Sequence, residues 1–335
     1  MIHLFRRRKL LQSAERQRIG DTMQAVVIDG FGGLERLRCD SVPVPDMGSW
    51  DVMLRVEAVG IGRLDCETRA GGGLGEEVQE FPAILGWDVA GTVVRAGRRV
   101  SGVDVGDTVL GLTGFPGPGG AYAEYAVLPT EHAVRVPQGL SMTETAALPT
   151  PGLVAWQTLI EAAELHPKQR VLIHGAAGGI GHLAVQIAKH RGAHVIGTGS
   201  EHNAEFLRSL GVDEFFDYRE EGFLRGVPDV DVIVDPVGGE SISRLLRVLS
   251  PKGVFIRVGT RERATRNGAG SLPSQRMRGL VMRPRQYQLE RLIALVEEGA
   301  LKPTVMPVPE LVDMKHAHKL SESGHVRGRV VVRVT

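Results

Sequence analysis

The stretch VLIHGAAGGIGHLAVQIAK, residues 171–189, constrains this chain more than any other. An apolar run suited to a buried strand enters a turn carrying Gly175, Gly178 and Gly181, spaced G-x-x-G-x-x-G. The turn opens a helical pattern that is apolar at Ile180, Leu183, Ala184, Ile187 and Ala188. A pyrophosphate can approach the N–H groups of a helix N-terminus only where no Cβ blocks the way. A glycine turn alone is a weak signal; between a strand and a helix inside repeated β/α units it points to a dinucleotide. The units are present: VLIHG (171–175), HVIGTG (194–199), EFFDY (214–218), VDVIVD (230–235) and GVFIRVG (253–259) alternate with helical patterns over 179–191, about 203–210 and 240–249. Apolar strands between helices predict a parallel sheet covered on both faces. The fold class is α/β, with a doubly wound nucleotide-binding domain.

Residues 23 to about 135 carry a different pattern. DVMLRVEAVGI (51–61), AGTVVRAG (90–97) and AYAEYAVL (121–128) are strand-like runs separated by Gly, Pro and Asp clusters, and GVDVGD (102–107) is a turn feeding the short strand TVLGL. This part is an all-β unit. Ser141 and Glu144 have the capping-box spacing ahead of a helical stretch that Pro149 and Pro151 interrupt, and the helical pattern resumes from Gly152 to Leu165. Leu289, Leu292, Ile293 and Val296 mark an amphipathic helix over 286–298, and GRVVVRV (328–334) reads as an edge-type strand returning to the β unit. Between them RERATRNGAGSLPSQRMRG reads as a solvated basic loop, with a flap over the site as its alternative. His182, His190 and His194 read as surface residues, and His316 and His318 fall on different helical faces.

Composition removes other classes. A chain of 335 residues exceeds what one core usually spans. Its formal net charge of +1 gives no global pull toward nucleic acid or membrane. Two cysteines, Cys39 and Cys66, cannot build a disulfide framework or a four-thiolate zinc site, and no apolar run approaches the ~20 residues that span a bilayer. A cytoplasmic location is expected. Segment 1–22 holds six basic residues against Glu15 and Asp21 and lacks the apolar core of a secretory signal. It reads as a disordered basic arm or an over-long start, with a presequence or a tail for an acidic partner as lesser alternatives.

The second strand of the nucleotide unit addresses cofactor choice. An NAD site places a carboxylate about 20 residues past the glycines to hold the ribose 2′-OH. Here the strand ends at Gly199 and is followed by Ser200, Glu201, His202 and Asn203, with Arg208 further on. No carboxylate stands at the strand tip, so a 2′-phosphate is not repelled and Ser200 and Asn203 can donate to it. NADP(H) is the expected cofactor.

Several stretches, RAGGG (69–73), FPAILGWDVAGTV (81–93), FPGPGGAYAEY (115–125), HGAAGGIGHLAVQIAK (174–189), NAEFLRSLG (203–211), DPVGG (235–239) and SGHVRGRVVVRV (323–334), carry a resemblance across nearly all of 23–335. The chain resembles the medium-chain dehydrogenase/reductase superfamily, in its zinc-independent quinone oxidoreductase-like branch. The resemblance implies a GroES-like β domain over 23–145 and 286–335, a Rossmann NADP-binding domain over 146–285, a cleft between them and a homodimer. It places Ala177, Gly178, Gly179 and Ile180 at the pyrophosphate, Ser200, Asn203 and Tyr218 at the adenosine phosphate, and Val237 and Thr260 toward the nicotinamide.

Zinc-dependent relatives hold Cys and His where this chain has Gly62 and Trp87, which cannot ligate, so no metal is expected. Without a Lewis acid the expected chemistry is hydride delivery to a pre-polarised acceptor, a small-molecule quinone or an α,β-unsaturated carbonyl. Relatives commonly carry an Asn at the Gly62 position and a Tyr or Lys near Glu67; this chain has neither. Arg63 is the candidate replacement donor, weighed against a solvated loop arginine. Asp65 is expected to hold its loop by hydrogen bonds. Trp87 and Phe115 would wall the acceptor pocket or pack the domain interface, and Tyr122 and Tyr125 read as core or edge residues. Two alternatives accompany this reading: an NADPH-binding redox-sensing or structural protein with little turnover, and a 2-enoyl-thioester reductase whose acyl-carrier phosphate meets the arginines of 261–285.

Overall fold

A computed structural model describes residues 19–239, 241–259 and 276–334. The expected arm falls outside this range up to residue 18, as do Thr260 and most of the basic stretch after it. In chain order the strands are β1 (Thr22–Ile28), β2 (Leu37–Pro43), β3 (Asp51–Ile61), β4 (Ala83–Ile84), β5 (Asp88–Ala96), β6 (Thr108–Leu112), β7 (Tyr125–Pro129) and β8 (Ala133–Arg135). Then follow β9 (Arg170–Ile173), β10 (His194–Gly199), β11 (Glu214–Asp217), β12 (Val230–Asp235), β13 (Leu249–Val258), β14 (Met277–Leu280), β15 (Val305–Val308) and β16 (Arg329–Arg333).

Six of them form one parallel sheet in the order β11-β10-β9-β12-β13-β14, the doubly wound arrangement with its crevice outside the carboxyl ends of β9 and β12. Its central strands are apolar because both faces are covered: Val171, Leu172, Ile173, Ile233 and Val234 are fully buried. The other large sheet runs β15-β16-β3-β5-β6-β8, with β7 also on β3, and a small sheet β2-β1-β4 lies beside it. β16 pairs antiparallel with β3 and parallel with β15, so the last segment completes the β unit as an interior strand and not as the edge-type strand expected; its buried valines suit a strand with neighbours on both sides. Helix Gln286–Glu297 buries Leu289, Leu292, Ile293 and Leu295 and contacts both the Pro149–Trp156 helix and β8, bridging the two units.

Four further expectations differ from the structure. Residues 277–280, read as loop, form β14, whose backbone pairs along β13 at the sheet edge despite its basic flanks. The strand expected over 121–128 begins only at Tyr125, because Ala121 and Tyr122 donate their N–H groups to Gly86 and Leu85 instead of entering the ladder. The Ser141–Glu144 capping box is not made; Ser141 Oγ bonds Thr143 Oγ1, and Pro149 starts a new helix at its first turn. Finally, His182 is buried rather than superficial. For His182 the reason is that Gly181 through Ala188 are buried on every side of the Gly181–His190 helix.

Candidate active site

The glycine turn is built by close approach. Gly175 sits at φ +65°, in the left-handed region. A Cβ on Gly181 would lie 2.4 Å from the Gly175 carbonyl oxygen and 2.7 Å from Ala176 Cα, so only glycine lets the helix start against the end of β9. Ala177 is buried, and Gly178, Gly179 and Ile180 are half-buried at the helix N-terminus, whose first N–H groups lack intrahelical partners. These residues fit a pyrophosphate cradle.

The chain's last segment closes this turn from outside the nucleotide unit. Gly328 donates its N–H to Ala177 O at 2.8 Å and bridges Gly178. His182 fastens the same junction: its Nδ1–H donates to Gly178 O (2.9 Å), and its Nε2 accepts from Thr304 N (3.1 Å). Burial pushes the His182 pKa down to about 4, so the neutral form that this pattern needs is the one present at neutral pH.

Two arginines flank Gly328, and neither was singled out by sequence. Arg327 serves the adenosine end of the crevice. Its Nε donates to Asn203 Oδ1 (2.8 Å), its Nη2 to His202 O, and its guanidinium lies 5.5 Å above the Phe206 ring. Asn203 Nδ2 donates to Ser200 Oγ at 3.2 Å, so Ser200 and Asn203, predicted from the strand tip, do come together there. Tyr218, exposed at the end of β11, sets its ring edge-to-face with His174 at 6.3 Å. The nearby carboxylate, Asp217, is held far below its usual range by hydrogen bonds from the Arg219 guanidinium, with backbone N–H groups of Arg219 and Glu201 adding to them. Its charge is thereby spent within the loop.

At the other end, Val237 is exposed just beyond β12, and its carbonyl accepts from Arg63 Nη1 at 3.2 Å. Arg63 is also paired with Glu67 at 2.7 Å. The structure therefore brings Arg63 and Val237 together across the domain boundary; Thr260 lies outside the described residues. Asp235 caps the turn by accepting from Val237 and Gly238 N–H groups, and its buried Oδ2 has no partner among the described residues.

Arg329 reaches the same region from β16. Its Nη2 donates to Asp88 Oδ2 at 2.5 Å and lies 3.8 Å from Asp65 Oδ2. Both carboxyls are buried, and burial pushes Asp65 up to about 6 and Asp88 in the same direction, against the pull of Arg329. Asp65 Oδ2 accepts from Gly62 N (2.8 Å) at the start of the Arg63–Arg69 helix, and its Oδ1 accepts from Tyr122 O–H (2.8 Å). The chain continues inward. Arg69 can only donate, so it donates to His318 Nδ1 (3.2 Å), which leaves His318 Nε2–H to donate to Tyr122 (3.1 Å). Burial keeps Tyr122 protonated and pushes His318 down to about 3, which agrees with this direction of bonds. Asp65 thus holds its loop, and a buried polar network stands behind it.

Trp87 is buried, donates its indole N–H to Gly117 O at 2.9 Å, and meets the half-buried Phe115 edge-to-face at 6.4 Å. An indole N–H already donating, and a glycine with no side chain, offer no lone pair at positions 62 and 87. These two residues do not fit a metal.

Two family models match the chain: an alcohol dehydrogenase GroES-like domain over residues 48–138, and a zinc-binding dehydrogenase domain over residues 210–332. A chloroplast envelope quinone oxidoreductase homolog of Arabidopsis thaliana is 33% identical over 329 residues, covering 93% of this chain and 99% of that protein. The chain belongs to the medium-chain dehydrogenase/reductase superfamily, quinone oxidoreductase-like. The quinone oxidoreductase of Coxiella burnetii superposes with a TM-score of 0.88 at 34% identity, over 94% of this chain and all of that one. A 2-haloacrylate reductase from a Burkholderia species is 35% identical over 241 residues, 69% of this chain and 72% of that protein. The protein is accordingly an oxidoreductase that uses a nicotinamide cofactor on a small-molecule substrate. Its GroES-like and Rossmann-like parts are the β unit and the doubly wound sheet described above.

Proposed function

We propose that this oxidoreductase is a zinc-independent, NADPH-dependent reductase of quinones or of alkenes activated by a carbonyl. The observation that carries the reading is the pairing, in one crevice, of a phosphate-receptive end with a substrate end whose positions 62 and 87 offer no metal ligand. Ser200, Asn203 and Arg327 supply donors and a positive charge where a 2′-phosphate would be held, and Asp217, the nearby carboxylate, is neutralised by Arg219. When bound, reduced nicotinamide supplies the hydride. The glycine turn would hold the cofactor's pyrophosphate, the Val237 carbonyl and the Arg63 guanidinium line the nicotinamide end, and half-buried Phe115, backed by buried Trp87, offers an apolar face to a planar acceptor. The likeness to the 2-haloacrylate reductase supports activated C=C bonds as a second acceptor class beside quinones. A homodimer through the edge at β14 belongs to the same reading, since among the described residues β14 pairs with β13 and with no other strand.

The test is NADPH oxidation at 340 nm against quinones, enones and 2-enoyl thioesters, with NADH in parallel. Turnover of a quinone or enone with preference for NADPH is expected. Tight NADPH binding without turnover on any acceptor would overturn the reductase reading, and equal use of NADH would overturn the cofactor choice. Light scattering checks the dimer.

A further inference from the structure

Gly62 is the point from which the inference starts. Its backbone, at φ −144° and ψ −173°, is extended and open to any residue. Glycine leaves room there for the arginine: an added Cβ would lie 1.8 Å from Arg329 Nη1 and 2.6 Å from its Cζ, so any side chain would have to displace the guanidinium. The guanidinium occupies the space that a side chain at position 62 would fill. A Cβ on Gly179 would stand 3.5 Å from Arg329 Cδ and 4.0 Å from Nη1, so the same side chain reaches from the pyrophosphate turn to the start of the Arg63–Arg69 helix.

Arg329 is more than nine-tenths buried, and Asp88 and Asp65 hold its Nη2 edge. Its Nε is buried with no partner among the described residues. An unpaired buried N–H is costly, and a permanently charged one more so, so it marks a place where a further acceptor is expected. Tethering by Asp88 and the β16 backbone also means that the guanidinium need not reorganise when negative charge appears beside it.

Building on the proposed reductase reading, we propose that Arg329 is a catalytic residue whose guanidinium hydrogen-bonds the acceptor's carbonyl oxygen and stabilises the negative charge developing on it. Reduced nicotinamide, if bound at this crevice, would supply a hydride with its electron pair to form the acceptor's new C–H or O–H bond, the cofactor being oxidised as the acceptor is reduced. The electron pair displaced within the acceptor settles on the oxygen facing Arg329. Arg329 keeps its own proton, and solvent water supplies the proton that completes the product.

The experiment has two arms. In the first, kcat at saturating NADPH and the NADPH Kd are measured for Arg329→Met, Arg329→Lys and Gly62→Ala. Gly62→Ala leaves the arginine in place but drives its guanidinium aside, so it reads the same function if Arg329→Met fails to fold. The expected loss of kcat is about 10²-fold for Arg329→Met and at least about tenfold for Gly62→Ala, with Arg329→Lys between wild type and Arg329→Met and NADPH Kd held within about twofold throughout. In the second arm, 4-nitrophenol is titrated spectrophotometrically on the wild-type complex with NADP+. Its ionisation midpoint on the protein is expected to fall by about one unit, a tenfold change, and to return to the free value in Arg329→Met.

Unchanged kcat in the variants overturns the proposal, as does a loss confined to NADPH affinity, which would make Arg329 a cofactor ligand. A nitrophenol midpoint that is unshifted, or equally shifted without the arginine, overturns it too. The nitrophenol arm needs no turnover, so failure of the reductase reading and failure of the Arg329 assignment are separately visible.

Discussion

Arg327 and Arg329 are separated by one glycine and serve opposite ends of the crevice under opposite conditions. Arg327 is exposed, lies over Phe206 and bonds neutral oxygens of Asn203 and His202. Arg329 is buried between the carboxyls of Asp88 and Asp65. An exposed cation is screened by salt and costs little to hold ready. A buried one must be compensated by its surroundings, and removing it leaves a deficit larger than the pair's net worth. The difference teaches that affinity for a charged cofactor group and control of charge at the reacting end are supplied by the same residue type in two dielectric settings. Each can therefore be altered with little effect on the other.

The sharpest way to break this contrast is Arg329→Met. Leaving Asp65 and Asp88 without their cation should lower unfolding free energy by about 3–5 kcal/mol, measured by urea denaturation, whereas Arg327→Ala should change it by less than about 1 kcal/mol.

Next in size is the pH dependence of stability. The folded value of Asp65, about 6, lies above its ordinary 3.8. Its contribution is therefore whole below pH 3.8 and is lost as the pH rises through 6. His182 and His318, pushed down to about 4 and about 3 from 6.5, act in the opposite sense: their contribution is present above 6.5 and is lost as the pH falls through those lower values. The two senses overlap and oppose each other between about pH 4 and 6, so Asp65→Asn should leave a steeper rise of melting temperature with pH across that window than the wild type shows.

A smaller effect is expected at the adenosine end. Arg327→Ala should weaken NADPH binding roughly tenfold at low ionic strength, spare NADH, and lose most of that penalty in high salt; isothermal titration reads all three. Smallest of all, Trp87→Phe should cost about 1 kcal/mol of stability by removing the indole bond to Gly117, with only a modest rise in acceptor KM.

Legibility in the sequence followed the range of the interactions. The glycine turn, the strand ends at Ser200 and Asn203 and the bounds of β3, β10 and β12 are set by neighbours close in sequence, and period and turn chemistry expose such features. The residues around Arg329 are not of that kind. Arg329 meets Asp88 across 241 residues, His182 meets Thr304 across 122, and Arg69 meets His318 across 249. No spacing rule reaches so far, and in GRVVVRV an arginine beside three valines looks like an edge residue. One local signal was available: the helix after the glycine turn is apolar on nearly every face, which argues for complete burial and hence for an interior His182. Arg63 was visible as a cation beside the cleft, but its ties to Glu67 and Val237 needed coordinates.

The suture between Gly328 and the Ala177–Gly178 turn has a consequence for biogenesis. A polypeptide emerges amino end first, and domains commonly begin folding during synthesis. Here the doubly wound sheet can assemble early, yet the underside of its nucleotide turn stays unfinished until Gly328 has been synthesised. A ribosome-bound intermediate should hold its nucleotide loosely. Termination before Arg327 would then strip both arginines from a nascent chain whose glycine signature is intact.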